Sequence, residues 1–152
     1  MKRLHYSVKI NTPKEKVWHM MLDNEGFKKW TSVFAEGSYY EGKWKEGEKI
    51  KFLTPSGEGM SSIVEEIQPY EYSSVKHIAG IQDGLEQKQD QSGFTYPAYE
   101  NYTFIEDNGS TKVKVEVDMA DDYVGQMNEL FPKALTKLKK LCEEKIPEEQ
   151  TS

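Results

Sequence analysis

The chain is expected to fold as an α+β domain in which a curved antiparallel sheet of about six or seven strands wraps around a long C-terminal helix, with two short helices after the first strand. Three observations predict it. Residues 121–144 form one long amphipathic helical pattern, the stretch from Ala35 to Met119 reads mostly as strands and turns, and a short helical pattern follows the first strand. A sheet that grips a helix in this way tends to leave a pocket between the two.

The elements follow in order. Leu4, Tyr6, Val8 and Ile10 alternate with His5, Ser7 and Lys9, a period of two that marks a strand with one buried face. Asn11-Thr12-Pro13 ends it, with Thr12 placed to cap a helix, Pro13 suited to its first position and Glu15 three residues on to close a capping box. That helix should run through Val17, Trp18, Met21 and Leu22, which share a face. Asp23-Asn24-Glu25-Gly26 breaks or restarts it, and Phe27 and Trp30 give a second helical turn or an aromatic loop.

Strands then dominate. Tyr39 and Tyr40 lie between Gly37 and Gly42, residues 49–53 alternate, 54–59 form a turn cluster, and 60–68 and 70–79 read as strands. Asp107-Asn108-Gly109 separates the β-rich runs 99–106 and 111–119; it is the clearest hairpin signal, because Asn-Gly accepts positive φ angles. In the second run Val113, Val115, Val117 and Met119 face one way, and Lys112, Lys114, Glu116 and Asp118 the other. Between the strands, Gly80 to Pro97 has little apolar periodicity and reads as a long loop, either a lid or merely mobile.

The terminal helix opens on Asp121 and Asp122, charges suited to its positive end. Val124, Met127, Leu130, Phe131, Ala134, Leu135, Leu138, Leu141 and Cys142 recur at spacings of three and four and make one apolar stripe. Pro132 lies within it and should bend the helix, since it cannot donate to Asn128.

A chain of 152 residues suits one domain, placed at residues 1–146 with 147–152 as a disordered tail. A net charge of −6 argues against a nucleic-acid partner, which would call for a basic face. Cys142 is alone, so it has no intramolecular disulfide partner. There is no apolar run of the roughly 18 residues a membrane span needs. The basic start Met1-Lys2-Arg3 is followed by alternating residues and not by the apolar core of a secretory leader. A cytoplasmic location is therefore expected.

Chemistry-bearing motifs are sparse. His5, His19 and His77 are far apart on different elements, so no metal site and no cofactor are expected. Cys142 lies on the apolar stripe and reads as a small core residue, not a thiolate. No nucleotide motif is present, and no serine stands in a nucleophile's context. Among the carboxylates, Asp118 alternates outward, opposite Val117 and Met119, whereas Glu100 shares its face with Tyr102 and Phe104 and could point into a pocket. The aromatic residues carry the stronger signal, because pocket walls are apolar with a few placed polar groups. The ligand-binding candidates are Trp30, Phe34, Tyr72, His77, Tyr99, Glu100, Tyr102, Met127 and Phe131. No catalytic residue is assigned.

Several short motifs occur in order: Ile10-Asn11-Thr12-Pro13 through Val17-Trp18, Phe27-Lys28-Lys29-Trp30, Gly42-Lys43-Trp44 with Gly47, Gly57-Glu58-Gly59-Met60, Ile67-Gln68-Pro69-Tyr70-Glu71, Glu100-Asn101-Tyr102-Thr103-Phe104 and Phe131-Pro132-Lys133-Ala134-Leu135. Together, over residues 3–145, they resemble the START-like (SRPBCC) superfamily with its helix-grip fold, and within it the branch named after the activator of the heat-shock-protein-90 ATPase. The resemblance implies an elongated hydrophobic cavity between the final helix and the sheet, roofed partly by the Gly80–Pro97 loop and residues 27–34. The superfamily includes lipid carriers, hormone receptors, polyketide cyclases and oxygenase subunits, so the resemblance leaves the activity open. The sequence has no counterpart of the second domain of the chaperone-binding activators, nor of the oxygenases' iron site and Rieske cysteines.

The first expectation is a protein that binds a small hydrophobic or amphipathic molecule, such as a lipid, in that cavity. The second is a cyclase or hydrolase using Glu100, Tyr102 and His77 as acid and base. The third is an adaptor with a protein partner such as a chaperone.

Overall fold

A computed structural model describes residues 1–87 and 93–144. The expected tail at 147–152 and the middle of the expected 80–97 loop lie outside the described residues.

Strand β1 (Lys2–Ile10) leads into helices α1 (Lys14–Leu22) and α2 (Asn24–Thr31). Strands β2 (Tyr39–Gly42), β3 (Lys49–Leu53), β4 (Gly59–Gln68), β5 (Tyr72–Gln82), β6 (Leu85–Gln87), β7 (Ala98–Asp107) and β8 (Ser110–Met119) follow, then a 3-10 turn (Asp121–Tyr123) and helix α3 (Val124–Glu143). The sheet is antiparallel in the order β1-β8-β7-β5-β4-β3-β2, with β6 added to β5. The register of β4 on β5 shifts between Ser61 and Ser62 and between Val64 and Glu66. Such irregularities bend a strand and re-aim its side chains.

Two turns have the backbone their sequences call for. Asn108 and Gly109 have φ of 52° and 80°, as a two-residue hairpin of the mirror type requires. Asp83 and Gly84, at 52° and 77°, make the same turn between β5 and β6. The segment expected to be one long loop therefore begins as a hairpin. The break at Asp23 is a restart: α1 and α2 are separate helices with only Asp23 between them. A methyl group at Gly26 would stand 1.9 Å from the Met20 carbonyl oxygen, so this corner closes only around glycine.

The core gathers on one face of the sheet. Ile10, Val113, Val115, Val117, Tyr102 and Phe104 are buried against Val17, Met21 and Leu22 of α1, Trp30 of α2, and Phe131, Ala134, Leu135 and Leu138 of α3. The α3 stripe is not uniformly covered. From Phe131 to Cys142 the helix buries Phe131, Ala134, Leu135, Leu138 and Cys142, with Leu141 half-buried, whereas Val124, Met127 and Leu130 in the first turns are all only half-buried. One end of α3 is packed, and the other stands off the sheet. Helix α3 continues through Pro132, which is exposed.

The expected capping box does not form. Helix α1 begins at Lys14, whose backbone N–H donates to Glu106 Oε1 of β7 at 2.8 Å and not to a side chain of the box. Thr12 is buried instead, and its hydroxyl donates to the Cys142 carbonyl at 3.1 Å, one of the carbonyls a helix end leaves without a partner. The Thr12 carbonyl in turn accepts from the Thr111 hydroxyl at 2.7 Å. Thr12 thus pins the packed end of α3 to the β1–α1 corner. Burial pushes the adjacent Cys142 thiol up to about 12, which keeps it an inert core group. Replacing Thr12 by Val is expected to leave that carbonyl unpaired and to cost about 1–3 kcal/mol in urea unfolding; an unchanged midpoint would show that the pin contributes nothing.

Candidate ligand cavity

Under the raised end of α3 lies a cavity of about 470 Å³, partly open to solvent. Its volume falls within the range of small-molecule sites. The walls are mostly aromatic, and the rings hold one another. Trp30 is fixed by its indole N–H, which donates to the Met21 carbonyl at 2.9 Å. Its ring meets Phe27 and Phe34 edge-on at 5.9 and 6.3 Å. Phe34 meets Phe131 at 4.9 Å, and Phe131 stacks on Tyr6 at 4.8 Å. Phe27 also reaches Phe52 of β3 at 5.7 Å. The sequence Phe52, Phe27, Trp30, Phe34, Phe131 is a continuous arc from the far strands to α3, and all five line the cavity. Met60, Val117, Met119 and Met127 add flexible and aliphatic surface, and Phe94 and Tyr123 contribute from the loop and the 3-10 turn.

One part of the wall is polar. His77 of β5 and Glu100 of β7 line the cavity, with His77 Nε2 3.4 Å from Glu100 Oε1. The other Glu100 oxygen accepts from the Tyr102 hydroxyl, and His77 Nδ1 is 2.6 Å from Ser62 Oγ. The Tyr102 O–H donates to the carboxylate, His77 Nε2–H is directed at its other oxygen, and Ser62 Oγ holds Nδ1 from behind. Burial, the Glu100 charge and the hydrogen bond to it all push the Tyr102 phenol well above its ordinary value, so it remains a donor. Ser62 is fully buried and is not part of the cavity wall. It orients His77 from behind and is not placed as a nucleophile for a bound molecule.

The strand register explains this convergence. Ser62 pairs with His77, Val75 with Glu100, and Ser73 with Tyr102, so Ser62, His77, Glu100 and Tyr102 share the inner face. Ser62 faces inward by the alternation of β4 with Met60 and Val64, while Ser61 turns out to Glu86; the shift after Ser61 places the extra residue, Ile78, in β5 and sets Ser62 opposite His77.

Of the sequence-predicted residues, Trp30, Phe34, His77, Glu100, Met127 and Phe131 line one cavity. Tyr102 lies just behind the wall and reaches it through Glu100. Tyr72 and Tyr99 do not join them. Tyr72 pairs with Thr103 and Tyr99 with Lys76, on the opposite face of the sheet. Asp118 turns outward to Arg3, with Nε 2.8 Å from Oδ1, and accepts the Tyr99 backbone N–H at 2.9 Å. Burial would raise that carboxyl, but those two hydrogen bonds outweigh it and hold it below its ordinary value. Sequence reasoning missed Phe52, Met60 and Ser62. The alternation of residues 49–53 could have placed Phe52 inward, and that of Met60, Ser62 and Val64 could have placed Ser62 inward; nothing in the sequence marks the register shift that sets it opposite His77.

A wider trough of about 1000 Å³ runs along the outer side of α3 past Lys133, Lys137 and Lys140, but none of its lining residues is buried. Among the described residues no cluster of His, Cys, Asp or Glu could hold a metal ion, and no helix is long and apolar enough to cross a membrane.

Comparison with known proteins follows the geometry. The sequence profile described as activator of Hsp90 ATPase homolog 1-like protein matches residues 11–143. No curated protein sequence matches the chain. Similar solved structures include protein MLL2253 from Mesorhizobium loti, at TM-score 0.73 and 15% identity over 92% of this chain and 96% of that one. The Aha1 dimer from Colwellia psychrerythraea gives 0.72 and 18% over 94% and 97%. CalU16 from Micromonospora echinospora gives 0.65 and 12% over 98% and 80%. At these identities the likeness is one of fold.

The polar chain yields a thermodynamic expectation. In a double-mutant cycle of Ser62→Ala and His77→Phe, the two changes should couple by about 0.5–3 kcal/mol in urea unfolding, because either alone strands a buried partner. Strict additivity would mean that the two side chains do not depend on each other.

Proposed function

The chain belongs to the activator of Hsp90 ATPase homolog 1-like family, and on that premise we propose that it is a single START-like domain, spanning residues 1–146, that binds a small hydrophobic or amphipathic molecule between α3 and the sheet. One observation carries this reading: the half-covered end of α3 stands over a cavity of about 470 Å³ walled by aromatic and aliphatic side chains. Burying the apolar body of a ligand there would stabilise the complex by about 25 cal/mol for each Å² removed from water. The His77–Glu100 pair gives such a ligand a polar anchor and hence an orientation. A cytoplasmic setting is part of the same proposal, in keeping with a single buried, reduced cysteine.

A second reading draws on the polar chain itself. A carboxylate held by a phenol and an imidazole, facing an apolar cavity, is the arrangement that acid–base catalysis uses. In that reading Glu100 takes a proton from a bound molecule and His77 Nε2–H polarises it. A Glu100→Gln variant that binds the native ligand but leaves it chemically unchanged, where the wild type converts it, would favour the enzyme. The adaptor reading, with a chaperone as partner, draws on the family description alone.

Native mass spectrometry of the chain purified from its own host is expected to show a co-purifying small molecule. The Met127→Trp variant, which fills the cavity, should lose most of that adduct, about ten-fold or more, while keeping its unfolding midpoint within about 1 kcal/mol. An adduct retained by Met127→Trp would place the ligand elsewhere.

A further inference from the structure

We propose that the cavity selects a lipophilic cation: a molecule with an apolar body and a protonated or quaternary ammonium head, in preference to a neutral or anionic amphiphile of the same body. The inference deepens the binding reading above and rests on it.

The argument begins with the charges that face the cavity. Its titratable lining residues are Glu58, His77, Glu100, Asp118 and the phenols Tyr39 and Tyr123, and among the described residues no lysine or arginine lines it. Asp118 is matched by Arg3, Nε to Oδ1 at 2.8 Å. Glu100 has no lysine or arginine beside it; its partners are the Tyr102 hydroxyl and His77 Nε2 at 3.4 Å. The cavity lining therefore carries more carboxylates than cationic side chains, beside apolar walls where a charge interacts more strongly than it does in water. A cation entering the cavity supplies the missing opposite charge. An anion would meet Glu100 with its own desolvation uncompensated.

The walls point the same way. The arc Phe52, Phe27, Trp30, Phe34, Phe131 presents aromatic faces and edges to the same space. Aromatic faces attract ammonium groups, most strongly when desolvated, and a quaternary ammonium is bound in this way without needing hydrogen-bond acceptors. A carboxylate at one side and several rings around it suit a cation with greasy substituents better than a simple hydroxyl, which would have to share an acceptor already engaged twice.

The test keeps one apolar body and changes only the head. Phenylbutyltrimethylammonium, phenylbutanol and phenylbutylsulfonate are titrated into the full chain by calorimetry. The ammonium is expected to bind about ten-fold or more tighter than the alcohol, and the sulfonate more weakly than the alcohol. In Glu100→Gln, checked for an unchanged far-UV spectrum, the ratio of ammonium to alcohol affinity should fall to within about two-fold. A wild-type ammonium no tighter than the alcohol, a sulfonate equal to or tighter than it, or a preference that survives Glu100→Gln overturns the proposal. Alcohol binding without charge preference would leave the cavity reading intact and remove only the cation. Binding by none of the three would remove both.

Discussion

The structure depends on a helix that covers its sheet at one end only. From Phe131 to Cys142, α3 is locked against α1, α2 and β1 by buried Ala134, Leu135 and Leu138, and its last carbonyls are tied to Thr12. Before Phe131 the same helix carries only half-buried Val124, Met127 and Leu130. The packed end supplies the stability that lets the other end stand away from the strands. Close-packed cores do not tolerate empty volume cheaply, so a void of this size persists only because rigid rings brace its perimeter. Trp30, anchored to the Met21 carbonyl, and Phe131 of α3, stacked on Tyr6, are two of these braces, joined through Phe34.

Within this apolar frame, the line Ser62–His77–Glu100–Tyr102 spans three neighbouring strands, β4, β5 and β7. Each member is satisfied by the next, which is the condition under which buried polar groups become tolerable and fix one arrangement. The line presents the Glu100 carboxylate on the cavity wall. Stability and recognition therefore share the same residues: the hydrogen bonds that satisfy His77 and Tyr102 also hold Glu100 in place.

Much of the fold was legible in the sequence. Period-two alternation identified β1, β7 and β8, Asn108-Gly109 identified their turn, and the spacing from Val124 to Cys142 identified α3. Glu100 could be assigned to the inner face because it shares parity with Tyr102 and Phe104, and Asp118 to the outer face by the same rule. What failed did so for nameable reasons. Thr12 looked like a helix cap because capping chemistry is local, but a non-local acceptor, the Cys142 carbonyl, took its hydroxyl. Tyr72 and Tyr99 looked like wall residues by type, yet register put them on the other face. The partnership of Ser62 with His77 was invisible because it depends on an extra residue in β5, between His77 and Ala79, which no residue pattern announced.

The account stands or falls on whether an apolar guest enters beneath the raised end of α3. The methionine methyl groups provide the reporter. Met60, Met119 and Met127 line the cavity, whereas Met20 and Met21 belong to α1 and do not. Titrating methyl-labelled protein with a small aromatic amphiphile and following these resonances by NMR gives the most direct reading. Saturable shifts of Met60, Met119 and Met127, with Met20 and Met21 unmoved, are the predicted result. Silence at those three methyls, or movement confined to the other methionines, would contradict it.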